Sequence, residues 1–162
     1  RILEVGTAVG FSAILMAEYD PVECAITTIE NYEKRIPIAR ENFIRAEKEE
    51  QITLLEGDAK DVLETLTEPF DLIFMDAAKG QYLNFLPRVL ELLQPEGILI
   101  SDNVLQDGDI IESRFAVTRR NRTIHKRMRE YLYTLTHSEE LTTAVLPVGD
   151  GITISTKKGR KA

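Results

Sequence analysis

The chain has 162 residues, enough for one domain with a substantial hydrophobic core but too few for two. Its 43 % hydrophobic and 29 % charged residues are typical of a folded globular protein and exclude a disordered one. No apolar run approaches the roughly 20 residues of a membrane-spanning helix, and the single cysteine, Cys24, excludes a disulfide within the chain. We therefore expect a cytoplasmic protein with no membrane partner.

The formal charge of −7 is divided unevenly along the chain. Residues 1–112 carry 23 acidic against 9 basic side chains, whereas residues 113–162 carry 4 against 11. The overall charge argues against indiscriminate binding to nucleic acid, but the basic second part leaves a local interaction open.

Short apolar runs that predict strands alternate with longer runs that predict helices. The predicted strands are Ile2–Val5, Ala25–Ile29, Ile52–Leu55, Leu72–Met75, Ile98–Ser101, Thr142–Leu146 and Ile152–Ser155. The predicted helices are Ser12–Tyr19, Tyr32–Lys48, Ala59–Leu66, Tyr82–Leu93 and a long one near Thr118–Thr136. Pro37 lies inside the second helical run, so that helix should start at or just before it.

Alternation of strand and helix predicts a doubly wound, Rossmann-like α/β sheet of mostly parallel strands with right-handed crossovers. The last two strands are an exception, because only residues 147–151 separate them, and a connection this short predicts an antiparallel hairpin. Parallel strands closed by a hairpin are the layout of class I methyltransferases. Because the first strand begins directly after Arg1, we also expect that this single domain, residues 1–162, lacks an N-terminal helical segment.

The first strand leads into a loop with two glycines, Gly6 and Gly10, and then into a helix. Glycine at a strand end lets the backbone turn sharply and approach a ligand, and the N–H groups of the following helix point toward that ligand. The spacing lacks the middle glycine with which a dinucleotide-binding loop admits a pyrophosphate. A ligand without phosphate, such as the sulfonium compound S-adenosylmethionine, does not need that glycine. The alternative is a plain tight turn between strand and helix.

Two acidic residues at strand ends favour a nucleoside-type ligand. Glu30 ends the second strand, where a carboxylate can accept hydrogen bonds from both ribose hydroxyls. Asp58 ends the third strand, where it is placed to accept from an adenine amino group. Asp58 also precedes a predicted helix, so a helix N-cap is the alternative role, and the two roles are compatible.

Oxygen ligands end the fourth and fifth strands. Asp76 follows the fourth strand, and Asp102 and Asn103 follow the fifth. The carboxyl ends of adjacent parallel strands converge on one crevice. Two carboxylates and an amide suit a hard divalent cation such as Mg²⁺ and offer no thiolate or imidazole for zinc. The alternative is that Asp and Asn are simply common where strands end in turns.

Lys79 follows Asp76 by three residues and can reach the same cation. A partly desolvated lysine beside a cation has its neutral form favoured. In that form it can remove a proton from a substrate hydroxyl. A solvated surface lysine is the alternative.

Four stretches together resemble the cation-dependent O-methyltransferases, a family that includes catechol and caffeoyl-CoA O-methyltransferases and bacterial relatives. They are EVGTAVGFS at 4–12, MDAAKGQY at 75–82, SDNVL at 101–105 and VGDG at 148–151, and together they cover essentially the whole chain in order. The resemblance implies that Asp76, Asp102 and Asn103 are the metal ligands. It also implies that Lys79, the base, and Asp76 are catalytic.

The same resemblance implies two cofactors, S-adenosylmethionine and Mg²⁺ or another divalent cation. The residues expected to bind S-adenosylmethionine are Glu4, Gly6, Thr7, Gly10, Ser12, Glu30, Asp58, Ala59 and Asp76. Catechol enzymes carry an aromatic residue before the lysine, where this chain has Ala78. Family members have N-terminal helices that help to close the pocket and form dimers, so a homodimer is expected for the full-length protein.

Within that family the closing stretch is most similar to bacterial tRNA 5-hydroxyuridine methyltransferases, which convert a modified wobble uridine to 5-methoxyuridine. Residues 114–129 contain seven Lys or Arg residues and no acid. On a helical wheel four of them fall within about 80°; they are Arg119, Arg122, Lys126 and Arg129. The opposite face carries Ile124, Met128, Tyr131 and Leu135. We therefore expect a cationic strip toward tRNA phosphates, with a solvated basic face as the alternative.

The leading hypothesis is a divalent-metal-dependent tRNA O-methyltransferase that takes part in tRNA processing. Within the same class, the acceptor could instead be a small catechol-like or CoA-linked phenol. Two hypotheses from other classes remain. One is an NAD-dependent oxidoreductase, for which the glycine spacing is wrong, and the other is a non-catalytic RNA-binding domain.

Overall fold

In the computed structural model, which describes residues 1–20, 24–113 and 115–159, seven strands form one sheet. The strands are β1 (Ile2–Val5), β2 (Ile26–Glu30), β3 (Ile52–Glu56), β4 (Phe70–Met75), β5 (Leu93–Ser101), β6 (Leu141–Leu146) and β7 (Ile152–Lys157). The helices are α1 (Phe11–Tyr19), α2 (Ile36–Arg45), α3 (Ala59–Thr65), α4 (Tyr82–Leu92) and α5 (Arg122–His137). Short 3₁₀ segments occupy Lys79–Gln81 and Gln106–Ile111. None of the described helices is both long and apolar enough to span a membrane.

The sheet has the strand order β3-β2-β1-β4-β5-β7-β6. Strands β1 to β5 pair in parallel, whereas β7 is antiparallel to both of its neighbours, β5 and β6. The predicted α/β sheet, mostly parallel with a closing hairpin, is confirmed. The order reverses between β1 and β4, and in such sheets a ligand crevice forms at the carboxyl ends beside that point.

Successive residues of β1 face opposite sides of the sheet and enter two different apolar clusters. Leu3 and Val5 pack with side chains of α3, α4 and α5 in the larger cluster. Ile2 packs with side chains of α1 and α2 in the smaller one. Helices therefore cover both faces, which explains why most residues of β1 are buried and apolar, with Glu4 as the polar exception.

Four predicted boundaries differ from the structure by more than two residues. Helix α2 begins at Ile36 rather than Tyr32, because the preceding residues form a turn in which the Arg35 N–H bonds the Tyr32 carbonyl at 2.8 Å. The same helix ends at Arg45, shortly before Glu47 with its positive φ of 56°. Strand β5 starts at Leu93 rather than Ile98, with a register irregularity against β4, and α5 starts at Arg122 rather than near Thr118.

Candidate active site

Gly6 lies where β1 ends and brings its loop against the end of β4. Its φ is +112°, and a Cβ at this position would lie 2.1 Å from the carbonyl oxygen of Asp76. Only glycine tolerates both that backbone conformation and that approach. The Asp76 N–H in turn bonds the Val5 carbonyl at 3.0 Å. The two strand ends are therefore in contact, and Asp76 lies beside the glycine loop.

A cavity of about 590 Å³ opens at these strand ends. The predicted cofactor-binding residues that line it are Gly6, Glu30, Asp58, Ala59 and Asp76. The other four, Glu4, Thr7, Gly10 and Ser12, do not line it. Glu4, Thr7 and Ser12 instead take part in hydrogen bonds beneath the loop, and Gly10 packs against α2.

Glu4 is fully buried beneath the glycine loop. Its carboxylate accepts hydrogen bonds from the hydroxyls of Ser12 and Thr28, and Thr28 exchanges a further hydrogen bond with Thr7 at 2.6 Å. Burial raises the pKa of Glu4 to about 7, and the two hydroxyl donors only partly offset that effect. Glu4 thus ties the loop to α1 and β2.

Gly10 fixes how α1 packs against α2. Its φ is +87°, and a Cβ there would fall 2.4 Å from the ring of Phe43 on α2. The Asn42 side-chain amide also donates to the Val9 carbonyl at 2.8 Å. The second glycine of the loop therefore serves the close approach of a neighbouring helix.

Glu30 lines the cavity and also holds the backbone around it. Its Oε2 accepts from the Ala8 N–H at 2.8 Å, and its Oε1 accepts from the N–H groups of Asn31 and Tyr32 at 3.0 and 2.9 Å. A carboxylate has about four acceptor positions. These bonds leave room for about one more, so Glu30 offers less free capacity than a carboxylate with no protein partners.

Asp58 caps α3 and lines the cavity at the same time. Its carboxylate accepts the Lys60 N–H at 2.9 Å, so the predicted N-cap is confirmed. The side chain stays exposed at the cavity wall. The two roles predicted for Asp58 are therefore compatible in space.

Several other residues that line the cavity were not predicted from the sequence; they include Asn31, Arg35, Lys60, Gln81 and Phe85. Asn31 directly follows Glu30, so its position after a strand end was an available signal. Arg35 and Phe85 carry no such signal, because one comes from the turn before α2 and the other from the middle of α4. Only the packing of those helices brings them to the cavity.

Lys79 joins the ends of β4 and β5. Its Nζ lies 2.5 Å from Asn103 Oδ1 and 3.6 Å from Asp76 Oδ1. Asp102 accepts the Asn103 N–H at 2.7 Å, and Asn103 has a left-handed φ of +52°. The Asn103 amide also donates to Asp150 Oδ2 at 3.3 Å. The structure thus places the predicted base beside two of the three predicted metal ligands, with the third adjacent in the chain.

The donor set fits a divalent cation. Asp76, Asp102 and Asn103 offer the oxygen ligands that Mg²⁺ and Ca²⁺ prefer. The oxygens of Asp76 and Asn103 both lie near one positive group, the Lys79 ammonium. No group of three or more His, Cys, Asp or Glu residues in the described part of the chain could hold a metal ion. A metal at these residues therefore depends on the Asn103 amide as a ligand.

Tyr82 connects the ends of β4 and β5 next to the candidate metal ligands. Its buried hydroxyl is 2.9 Å from the Met75 carbonyl and 3.1 Å from the Asp102 carbonyl. Its ring meets the ring of Tyr131 edge-on at 5.3 Å, and the Tyr131 hydroxyl bonds Ser101 at 2.6 Å. Burial raises the pKa values of both phenols, so both stay neutral at physiological pH. These contacts therefore fix the separation of β4 and β5 at the ends that are followed by Asp76, Asp102 and Asn103.

The predicted cationic strip on α5 is not continuous. Arg119 precedes the helix, so it does not share the helical face as predicted. Arg122 and Arg129 donate to the backbone carbonyls of Val117 at 3.3 Å and Ile110 at 2.9 Å. Lys126 remains exposed.

The inner face of α5 also differs from the helical wheel by one residue. His125 is 3 % exposed, whereas Ile124, predicted to be inside, is 36 % exposed. The His125 Nε2 lies 3.2 Å from the Glu112 carbonyl oxygen. This polar partner makes burial of the imidazole favourable, since a buried polar group needs a hydrogen bond.

The sequence profile described as O-methyltransferase matches residues 1–158. The chain belongs to the O-methyltransferase family. This match confirms the resemblance to O-methyltransferases predicted from the sequence motifs. The matched residues include all the strand ends that form the site.

Relatives within the O-methyltransferase family have named substrates. A catechol O-methyltransferase from Niastella koreensis is 36 % identical over 116 residues, which are 69 % of this chain and 52 % of that protein. Caffeoyl-CoA O-methyltransferase 1 from Eucalyptus globulus is 32 % identical over 162 residues, which are 94 % of this chain and 64 % of that protein. The chain therefore spans about half to two thirds of the length of these relatives.

A solved methyltransferase structure has the same fold. The methyltransferase PaMTH1 from Podospora anserina, bound to S-adenosylhomocysteine (SAH), matches with a TM-score of 0.87 at 31 % identity. The match covers 98 % of this chain and 71 % of that one.

Proposed function

We propose that this chain forms the active site of an S-adenosylmethionine-dependent O-methyltransferase that binds its acceptor hydroxyl through a divalent cation. The position of Lys79 carries the proposal. Its ammonium lies between the oxygens of Asp76 and Asn103, and Asp76 also lines the large cavity. Asp76 therefore belongs both to the candidate site for the methyl donor and to the candidate site for the acceptor hydroxyl.

The cavity suits the methyl donor. Its volume of about 590 Å³ is in the range of small-molecule pockets. Three carboxylates, Glu30, Asp58 and Asp76, line it against two cations, Arg35 and Lys60, and this small negative excess favours a cationic sulfonium over an anionic pyrophosphate. The SAH-bound Podospora relative supports the same assignment.

The residues after β4 and β5 suit activation of a hydroxyl. When bound, the methyl donor supplies an electrophilic methyl group and a divalent cation lowers the pKa of a coordinated hydroxyl. Asp76, Asp102 and Asn103 are the residues that would hold the cation. Lys79 accepts the hydroxyl proton at its Nζ when it is in the neutral form. Tyr82 keeps these groups in register, which is the positioning contribution to catalysis.

A small catechol-like phenol is the acceptor class we propose first. The curated relatives named above are catechol and caffeoyl-CoA enzymes. Small apolar residues, Ala77 and Ala78, line the cavity next to Asp76, and Phe85 adds an aromatic ring. Ala78 stands where catechol enzymes carry an aromatic residue, so the support for this acceptor class comes from the named relatives.

The 5-hydroxyuridine of tRNA is a second candidate, favoured by one observation. Arg119 and Lys126 are exposed and form no ion pair or hydrogen bond with any residue the structure describes. Such unpaired cations are available to phosphates. The continuous strip expected from the sequence is reduced to these two.

Transfer of label from S-adenosylmethionine to two acceptors tests the proposal and separates the candidates. The acceptors are 3,4-dihydroxybenzoate and total tRNA that lacks the methyl mark, each assayed at about 50 mM and about 200 mM salt. A small phenol should be methylated at similar rates in both, whereas tRNA methylation should fall steeply with salt and with Arg119→Ala or Lys126→Ala. No transfer to either acceptor, together with no donor binding in calorimetry, would overturn the proposal.

A further inference from the structure

Helix α5 reaches the loops that follow β4 and β5 through polar contacts to their backbone carbonyls. Arg122, His125 and Arg129 contact carbonyls in residues 110–117, after β5. Arg127 instead reaches the loop after β4, where its Nη1 donates to the Gly80 carbonyl at 2.7 Å. That carbonyl belongs to the residue directly after Lys79.

The turn that carries Lys79 is short and has few internal bonds. It is a single 3₁₀ turn, Lys79–Gln81, in which the Gln81 N–H bonds the Ala78 carbonyl at 2.8 Å. Short 3₁₀ segments have poor hydrogen-bond geometry and are weakly held on their own. A charge-assisted bond from a guanidinium is among the stronger single contacts available to such a turn.

The space around Gly80 points to the same contact. Gly80 is not among the glycines with positive φ, so its backbone does not require glycine. The nearest atom that a Cβ at this position would meet is Arg127 Nη1, at 3.4 Å. The guanidinium therefore lies directly over the turn.

Arg127 is also anchored to the core through its own helix. Met128 and Tyr131, on the buried face of α5, are fully enclosed, and the Tyr131 hydroxyl bonds Ser101 at the end of β5. The bond from Arg127 to Gly80 therefore links the Lys79 turn to the framework that also holds the Asp102 and Asn103 loop.

We infer that Arg127 is a positioning residue for Lys79. It fixes the 3₁₀ turn so that the Lys79 Nζ stays within reach of Asp76 and Asn103. The inference rests on the proposed role of Lys79 as the base.

Kinetics of three variants test this inference, with 3,4-dihydroxybenzoate as acceptor. Arg127→Ala should lower kcat by about tenfold to a hundredfold, because a misplacement of about 1 Å has effects of that size. The KM for S-adenosylmethionine should stay within twofold, and Arg127→Lys, which keeps a donor, should recover most of the loss. Arg120→Ala removes the same charge from an exposed arginine with no hydrogen bond or ion pair to the described residues, and should leave kcat within twofold. Equal losses in Arg127→Ala and Arg120→Ala would overturn the inference, as would a kcat within twofold of wild type for Arg127→Ala.

A double-mutant comparison separates failure of the inference from failure of the proposed function. If Arg127 acts through Lys79, Arg127→Ala should cause no further loss in a Lys79→Met background. A full further loss there would overturn the inference while leaving the role of Lys79 intact. Wild-type kcat in Lys79→Met alone would instead overturn the proposed role of Lys79.

Hydrogen exchange gives a readout that needs no acceptor. The amides of residues 80–84 should exchange faster in Arg127→Ala than in wild type, and no faster in Arg120→Ala. Unchanged exchange at these amides in Arg127→Ala would contradict the inference, whatever the activity of the variant.

Discussion

Two ionisable residues at the site, Glu4 and Lys79, differ sharply in their surroundings. Glu4 is fully buried, and its hydroxyl partners Ser12 and Thr28 come from α1 and β2. The Lys79 side chain is 25 % exposed and faces Asp76 and Asn103 at the cavity edge. Burial without a cationic partner suits a structural role, whereas a partly exposed lysine among oxygen ligands suits proton transfer to or from a bound substrate.

Lys79→Met should lower kcat by about a hundredfold or more, the usual contribution of a general base. The substitution removes the proposed proton acceptor but keeps most of the side-chain volume. Binding of S-adenosylmethionine, measured by calorimetry, should change little, because Lys79 does not line the cavity. Loss of donor binding in parallel with kcat would mean that Lys79 acts on the cavity and not on the acceptor.

Glu4 should make stability depend on pH. Its pKa is raised in the folded state from 4.5 to about 7, so the folded protein keeps a proton that the unfolded chain has lost between these values. The free energy of unfolding should therefore fall as pH rises from about 5 to about 7, by about 1.4 kcal/mol per unit for this group, and level off above. Glu4→Gln keeps an acceptor for Ser12 and Thr28 and should remove this component in urea unfolding at pH 5, 6 and 7.5. Parallel pH profiles for the two proteins would contradict it.

At the scale of elements, the site is made by strand ends that are forced close together. Gly6 allows the β1 loop to touch the Asp76 backbone, and Tyr82 ties the end of β4 to that of β5. The loops themselves are short, so the sheet and these two contacts set the positions of the side chains in the site.

Gly6→Ala should destabilise the fold strongly, because its Cβ would meet backbone that cannot move aside. Gly149→Ala is the matched control, since Gly149 has φ +55° but no atom within 4 Å of the added Cβ. We expect about 1 kcal/mol for Gly149→Ala, from backbone conformation alone, and at least about 2 kcal/mol for Gly6→Ala. Denaturant unfolding measures both, and equal costs would show that the close approach to Asp76 carries no penalty.

Tyr82→Phe should cost about 1–3 kcal/mol, because the Asp102 carbonyl would lose its hydroxyl donor, whereas the Met75 carbonyl still accepts the Asp102 N–H at 3.0 Å. Tyr133→Phe on the exposed part of α5 is the control and should cost less than about 0.5 kcal/mol. Thermal unfolding compares the two variants. A Tyr82→Phe protein as stable as the control would show that the hydroxyl bond to the Asp102 carbonyl contributes nothing to stability.

For the whole molecule, the sequence predicted the sheet, its closing hairpin and the strand-end position of Asp76, Asp102 and Asn103. These features follow from local patterns, namely apolar strand runs, turn residues and the convergence of parallel strand ends. The contacts of Glu30 with the Ala8 N–H and of Arg127 with the Gly80 carbonyl could not be predicted. They join segments whose separation is set by packing, on which the local pattern carries no information.

The helical wheel for α5 was right for Met128, Tyr131 and Leu135 but wrong for Ile124, and for the same reason. A helical wheel placed Ile124 inside because it is apolar, but the buried position belongs to His125, whose partner Glu112 comes from a distant loop. Arg122 and Arg129 looked free for phosphates because the loop carbonyls that they bind are not visible in a helical pattern.

The central claim is that a divalent cation held after β4 and β5 activates the acceptor hydroxyl beside the donor cavity. The most direct measurement is methyl transfer to 3,4-dihydroxybenzoate as Mg²⁺ is titrated into protein treated with EDTA, for wild type and Asp102→Ala. We predict that wild-type turnover is absent in EDTA and restored by Mg²⁺, while Asp102→Ala stays inactive at all Mg²⁺ concentrations yet still binds S-adenosylmethionine. Full turnover in excess EDTA, or full Mg²⁺-dependent activity in Asp102→Ala, would contradict the claim.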